Sequence, residues 1–465
     1  MKELTPNTPV IVGIGFEQET SEDPTQCAEA WQLMLRAVRR AAADAGSEAL
    51  LARIESISIP QGMWEYRNPG RLIADALGCP SARSILSDLC RAIAAGEQHV
   101  GVITGGEAKF RELRGAKMGQ PVANTEQPQD TPPPDVHHTS SDPWASEPEA
   151  RAGLASPVEL FAIMESALRH AEGLDVDRHR DRIAQLYSRF SEVAAGNPRA
   201  WRREPMSPRA IRDPSPRNAM LAFPYTKRHS SQWNVNQAVA ILVCSAARAA
   251  RLGLERDGWI FPLAAAQSKH VVPLAQQQRL HTHPGTVLSG ERALTLAGIS
   301  PEDVDAAELY SCFPAASQSF ALDLKLAETC PWTVTGAMPF AGGPYNSFSL
   351  EGVARMAEVL RGGEGNSRSE RRIGLVSNLS GIFGKQACAL FSNLPSAAGY
   401  RYEDVTAEVA ACDHPLPLDG DYVGPAAIVG YTVVFVGEVP SHAIAICDTP
   451  AGRRTVVRSE DQALL

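Results

Sequence analysis

One local unit recurs in both halves of this chain: a helix that ends on glycine and runs directly into an apolar strand. This recurrence restricts the fold more than any other feature. In the first half, residues 86–95 read as a helix closed by Gly96, and residues 99–104 as a strand closing on Gly105-Gly106. Glycine suits the left-handed turn that ends a helix. In the second half, residues 292–297 lead through Gly298 to a strand at 304–309, and residues 350–360 lead through Gly362-Gly363 to a strand at 373–377. Near the start, residues 10–15 form an apolar run ending in glycine, typical of a buried strand. Residues 28–45 follow with Trp31, Leu35, Val38 and Ala42 at helical spacing, and residues 54–59 alternate as a strand does. Repeated helix–strand units with apolar strands predict a buried, mixed sheet covered by helices, and the repetition predicts an internal duplication.

The segments between and after these units differ in texture. Residues 121–157, with Pro132-Pro133-Pro134, read as an excursion from the core, and residues 156–170 and 175–195 read as helices. Residues 201–224 are irregular and proline-bearing, and the core resumes at 235–250. Beyond residue 394, the runs 405–410, 426–436, 443–446 and 455–457 are short and β-type, which suggests an appended all-β barrel. The expected organisation is an α/β chain with a first half at 6–118 and 228–258, a loop domain at 119–227, a second half at 259–393 and a small C-terminal β-barrel at 394–465.

Charge and cysteine usage exclude several classes. A net charge of −9 and the lack of a sustained basic stripe argue against nucleic acid as a partner. Nine cysteines, odd in number and without a CxxC pair, read as reduced thiols, and the start MKELTPNTPV lacks a basic stretch followed by an apolar one. The longest apolar runs fall short of a membrane span. A cytoplasmic chain is the expectation. His281 and His283 make only two ligands of a metal set, and His137-His138 sits in the proline-rich excursion. Gly13-x-Gly15 lacks the third glycine of a dinucleotide fingerprint.

Four short motifs carry a family resemblance by their order and spacing. Thr104-Gly105-Gly106-Glu107 resembles the thiolase segment that follows the nucleophile, and Glu308-Leu309-Tyr310-Ser311-Cys312-Phe313 resembles the Asn-Glu-Ala-Phe or His-Asp-Cys-Phe motif. Gly342-Gly343-Pro344 resembles Gly-His-Pro, and Ser377-Asn378-Leu379-Ser380-Gly381 resembles the Cys-x-Gly turn. The likeness covers most of residues 6–393 and is greatest to thiolase-like proteins of type 1 with an additional C-terminal domain, within the acetyl-CoA acetyltransferase family; Pro224-Tyr225-Thr226-Lys227 and Ser311-Cys312-Phe313-Pro314 fit that group. The resemblance implies a duplicated thiolase fold, five-layered α/β/α/β/α, with a loop domain and a C-terminal β-barrel.

The same resemblance locates departures. Thiolase chemistry uses a cysteine that takes the acyl group, a histidine that activates it, a second cysteine that moves a proton, and an oxyanion hole. Here the histidine position is Gly343, the second-cysteine position is most nearly Asn378, and the position that holds the oxyanion-hole water is Tyr310. The nucleophile position falls near Cys79, in one of two ways. In the first, Pro80 opens a helix and the helix N-terminus activates the thiol. In the second, residues 74–78 end a helix, residues 81–86 form a strand, and Cys79 is a structural thiol. Cys312 is the other candidate nucleophile, and like Cys388 it also reads as a buried core cysteine.

The resemblance therefore implies a protein of lipid metabolism that binds acyl-CoA or a related lipid thioester as substrate or ligand, with no covalently bound cofactor and with a homodimer left possible. An acyltransfer step would run through Cys79 or Cys312, and Tyr310, Ser311, Phe313, Gly342, Gly343, Pro344, Asn346, Asn378 and Ser380 would shape the thioester pocket. The alternative is a non-catalytic CoA- or lipid-binding scaffold.

Overall fold

The computed structural model describes residues 4–79, 89–138, 143–154, 156–327, 329–362 and 370–465. The first half contains β1 (Pro9–Gln18), α1 (Ala30–Asp44), β2 (Ser56–Ser58), α2 (Pro69–Leu77), α3 (Leu89–Ala95) and β3 (Val100–Ala108). The expected helix start at 86–88 and the alternatives for 80–86 lie outside the described residues. α4 (Lys109–Lys117) ends the first half, and the segment expected as a loop domain supplies α5 (Glu147–Ala152), α6 (Pro157–Ala171), α7 (Val176–Gly196), α8 (Pro208–Arg212) and the strands β4 (Met220–Ala222) and β5 (Tyr225–Thr226). The chain then returns through β6 (Asn236–Ser245) and α9 (Ala246–Arg251).

The second half runs β7 (Phe261–Ser268), α10 (Pro284–Ala297), β8 (Ala306–Glu308), α11 (Pro314–Asp323), α12 (Met338–Ala341), α13 (Phe348–Arg361), β9 (Ile373–Ser380) and β10 (Lys385–Ser392). The C-terminal part adds β11 (Arg401–Asp404), α14 (Thr406–Cys412), β12 (Ala427–Val436), β13 (Val439–Asp448) and β14 (Arg454–Ser459).

The duplication is visible in the strand order. The first sheet reads β1-β6-β3-β2, with successive pairs antiparallel, antiparallel and parallel. In the second, β7-β10-β9-β8 repeats the same order and the same three orientations. β11 extends that second sheet, parallel to β7. The two sheets meet where Ile11 and Ile260 exchange main-chain hydrogen bonds of 2.8 and 3.1 Å.

Side-chain alternation builds the layers. Every residue of β6 is buried. Ala238, Ala240, Leu242 and Cys244 face the core shared with α1, whereas Val239, Ile241 and Val243 join a second core with Leu89 and Ile93 of α3 and Met356 and Leu360 of α13. The strands of the second sheet split likewise, Cys388 and Leu390 into the first core, Val376 and Phe391 into the second. The result is α1, sheet, α3 with α13, sheet, α10: a five-layered α/β/α/β/α body. Gly13 and Gly15 permit the tight seat of α1. A Cβ at either would lie about 2 Å from the carbonyl oxygen of Ala41 or Ala37, so this Gly-x-Gly pair is a packing device.

Two parts outside the duplicated body are tied to it. Thr125 donates through its amide (2.6 Å) and its hydroxyl to the buried carboxylate of Glu29, and Asn68 donates to the Pro132 carbonyl (3.1 Å), so this stretch of the excursion lies as a strap over the first half. The third sheet, ordered β14-β13-β12-β4-β5, combines the C-terminal meander with the two strands from the segment expected as a loop domain. The run read from sequence as a strand at 405–410 is the helix α14, because Val405 and Val409 lie one helical turn apart and are both buried. Among the described residues, no helix is long and apolar enough to cross a membrane, and no group of three or more His, Cys, Asp or Glu side chains is placed to hold a metal ion.

Candidate functional site

Glu308, at the end of β8, anchors the floor of the site. It is 1 % exposed, and its carboxylate accepts from the amides of Val334 and Thr335 (both 2.8 Å) and from the hydroxyls of Thr333 and Thr335 (3.0 Å). Burial pushes its pKa up to about 7, against the pull of these donors. The carboxylate thus fixes the 333–335 loop beside the strand end and sets where residues 310–313 emerge.

These residues are laced to two distant segments. The Ser311 hydroxyl accepts from the Met338 amide at 3.2 Å, the Ser311 carbonyl accepts from the Tyr187 hydroxyl at 3.4 Å, and the Cys312 carbonyl accepts from the Ser231 amide at 3.0 Å. Gln232 donates to the Met338 carbonyl at 3.1 Å and accepts from the Gly343 amide at 3.0 Å. Tyr310 donates its amide to Ser377 Oγ at 2.9 Å and sets its ring edge-on to Phe348 at 6.0 Å. Asn378 accepts from Ser349 Oγ at 2.8 Å, and Asn346 donates to the Pro60 carbonyl at 2.9 Å. A Cβ on Gly105 would touch Ser347 and Asn346, which brings the Thr104–Glu107 segment to the same place. Tyr310, Ser311, Cys312, Gly342, Gly343, Pro344, Asn346 and Asn378 therefore lie in one neighbourhood.

The remaining sequence-predicted residues sit differently. Phe313 points into the core, stacked on Phe161 (5.0 Å) and Tyr225 (5.5 Å), and supports the site from beneath. Ser380 is exposed at the end of β9. Cys79 follows the C-terminus of α2, where Gly78 takes the left-handed cap and the Cys79 amide donates to the Ala74 carbonyl at 3.0 Å. That end of a helix disfavours a thiolate. Burial is the main reason its pKa is raised, and Asp75 adds to it. The Cys312 thiol, half-buried, is raised well above the ordinary range by desolvation, although the amides of Phe313 and Cys312 itself pull it down. Burial keeps the Tyr310 hydroxyl protonated.

Gly343 has no room for a side chain. A Cβ there would lie 2.1 Å from Ser231 Oγ and 3.1 Å from Met338 Cβ. The space beside its α-carbon belongs to Ser231, a residue that carries no motif of its own and was not among the sequence candidates. Two acceptors nearby lack any partner among the described residues, Asn346 Oδ1 and Ser347 Oγ, and both are buried atoms. Glu107, at the end of β3, is also buried; its Oε1 accepts from the Met63 amide at 2.9 Å, and burial pushes its pKa up to about 7. Among the described residues, the arrangement offers hydroxyl and amide groups in a partly apolar floor, without a base beside a nucleophile.

Comparison with known proteins agrees with this architecture. No family model matches the chain. A curated relative, the acetyl-CoA acetyltransferase of Methanothermobacter thermautotrophicus, is 26 % identical over 279 residues, which is 56 % of this chain and 68 % of the relative. Among solved structures, a monomeric SCP2-thiolase like protein type 1 from Mycobacterium smegmatis superposes with a TM-score of 0.81 at 25 % identity, covering 99 % of this chain and 94 % of that one. The dimeric peroxisomal thiolase of Saccharomyces cerevisiae gives a TM-score of 0.58 at 15 % identity, over 84 % of this chain and 98 % of that one.

Proposed function

Because the chain belongs to the thiolase superfamily, we propose that it binds acetyl-CoA or a longer acyl-CoA at the Tyr310–Asn378 site without making an acyl-enzyme by the usual thiolase route. The observation that carries this reading is Gly343: the histidine position is bare backbone, and Ser231 Oγ fills the space a side chain would need. A base cannot be restored there by a rotamer change. Binding is supported by the unpartnered acceptors Asn346 Oδ1 and Ser347 Oγ, which suit the amide N–H groups of a pantetheine arm. Tyr310, held protonated, and the outward amide of Asn378 are donors for a thioester carbonyl oxygen.

A second reading, acyl transfer through Cys312, is favoured by one observation: two main-chain amides act on that thiol at the start of α11. Calorimetric titration with acetyl-CoA, run beside incubation with radiolabelled acetyl-CoA, separates the two. The proposal expects saturable binding and no hydroxylamine-labile label on protein. Label lost in Cys312→Ala would establish the second reading, label lost only in Cys79→Ala would assign the nucleophile there, and absence of both binding and label would sink both readings.

A further inference from the structure

A well-formed cavity of about 340 Å³ is lined by none of the residues of the thioester site. It opens between the first turn of α10, the loop before it, the turn joining β9 to β10, and α14. Its walls are apolar at Val272, Leu288, Phe383 and Val409, and its volume suits a small organic molecule.

The polar part of the lining is unfinished. Gln277, His283 and Gln386 line the cavity and are only 7 %, 3 % and 2 % exposed. Among the described residues, Gln277 Oε1, His283 Nε2 and Gln386 Oε1 have no hydrogen-bond partner. The two amides cannot simply be turned round, because the nitrogen of Gln277 donates to the Val272 carbonyl at 3.0 Å and that of Gln386 donates to the Phe383 carbonyl. Both oxygens are therefore fixed as acceptors that await a donor. The His283 ring is stacked on Phe383 at 3.7 Å and is held neutral by burial, which lowers its pKa to about 3.

The mouth holds one cation without an ion-pair partner among the described residues and one carboxylate, Asp413, that has a partner in His270. Arg279 lines the cavity, is exposed, and has no ion-pair partner among the described residues. α10 is 14 residues long, and its first turn, with Pro284 and Gly285 in the wall, presents main-chain N–H groups and the positive end of its dipole. Two carboxylates are near. Asp413 is paired with His270 at 3.1 Å, and Asp323, which accepts from the His283 amide at 3.1 Å, has its pKa raised to about 7 by burial.

We propose that this cavity binds a small organic anion that carries its own hydrogen-bond donors, a hydroxycarboxylate or a sugar phosphate. The anionic group lies against Arg279 and the first turn of α10, and the hydroxyl groups donate to Gln277 Oε1 and Gln386 Oε1. The inference does not rest on the thioester reading, since it uses none of that site's residues.

The test is calorimetric titration of the full chain with gluconate, 6-phosphogluconate and, as the uncharged counterpart, sorbitol. At least one anion binds saturably and sorbitol does not. Tighter binding of 6-phosphogluconate than of gluconate shows that the added phosphate contributes to the anion contact. Arg279→Ala, an exposed change that leaves the melting temperature in place, weakens the anion by about tenfold or more, as expected for loss of one charge-assisted contact. Leu288→Trp, which fills the cavity, abolishes binding. The proposal is overturned if neither anion binds, if sorbitol binds as well as the anions, or if binding survives both Arg279→Ala and Leu288→Trp unchanged.

Discussion

Gly343 and Ser231 should behave as a coupled pair. A methyl group on Gly343 would sit 2.1 Å from Ser231 Oγ, more than an ångström inside ordinary contact. The Ser231 backbone cannot retreat freely, because its amide holds the Cys312 carbonyl at 3.0 Å, so Oγ can leave only by rotating about its Cα–Cβ bond. Gly343→Ala therefore costs about 1–3 kcal/mol of overpacking, plus about 1 kcal/mol if that hydrogen bond breaks. Ser231→Ala removes the obstructing oxygen and leaves only Met338, at 3.1 Å, which needs to give by a few tenths of an ångström. In that background the same Gly343→Ala should cost less than about 1 kcal/mol, a coupling of about 1–2 kcal/mol in a double-mutant cycle. The assay is the shift in melting temperature of the four proteins, about 2–4 °C per kcal/mol for domains of ordinary size, with acetyl-CoA binding measured in parallel. If Gly343→Ala melts with the parent, or if Ser231→Ala does not rescue it, the side-chain space at the histidine position is not closed and the case against a restored base falls.

Other outcomes follow from buried groups. Glu107 titrates at about 7 in the fold against an ordinary 4.5. The folded state thus binds the extra proton, and stability declines as pH rises from about 4.5 to 7, by about 3 kcal/mol in full. Glu107→Gln, which still accepts from Met63, should raise the melting temperature at pH 8 and leave it unchanged at pH 4; equal effects at both would refute the assignment. Tyr225→Phe removes a hydroxyl that donates to buried Glu165 at 2.5 Å and accepts from the Ala315 amide at 3.2 Å. A loss of about 2–4 kcal/mol is expected, read as a lower melting temperature. Gly15→Ala drives a methyl group to 1.9 Å from the Ala37 carbonyl and should separate α1 from β1, giving little folded protein on expression. Thr125→Val removes the hydroxyl bond to Glu29 and keeps the amide bond, so it loosens the strap and should speed protease cleavage within residues 121–138 without changing cleavage elsewhere.

What could be read from sequence was what depends on near neighbours. β6 was legible because residues 238–244 form an uninterrupted apolar run, and α10 because Gly298 marks its end, whereas the end of α2 at Gly78 was one of two open readings. The assembly of Tyr310, Gly343, Asn346 and Asn378 was legible through motif order alone. Ser231 was not, since nothing local shows that its hydroxyl faces Gly343 across the site. α14 was misread because Val405-Thr406-Ala407-Glu408-Val409 satisfies both a two-residue and a four-residue period. Cys79 turned on residues beyond any local rule: only the packed structure shows it after a helix end, with its amide bound back to Ala74. The unfinished polar lining at Gln277, His283 and Gln386 joins segments that no motif connects.

The third sheet carries a consequence for synthesis. β4 and β5 emerge early, yet Ala222 pairs with Val434, and the Phe223 amide donates to the Val433 carbonyl at 2.8 Å. Arg454, still later, clamps the carbonyls of Gln277 and Gln278 at 2.8 and 3.1 Å. At ribosomal rates of about 5–20 residues per second, roughly 200 residues and some 10–40 s separate β4 from its partner strand β12. Throughout that interval the nascent chain presents an open strand edge beside α6, a surface that invites the wrong neighbour. The meander at the C-terminus is thus a closing clasp, and a ribosome that stops short of it releases a chain whose middle remains unsealed.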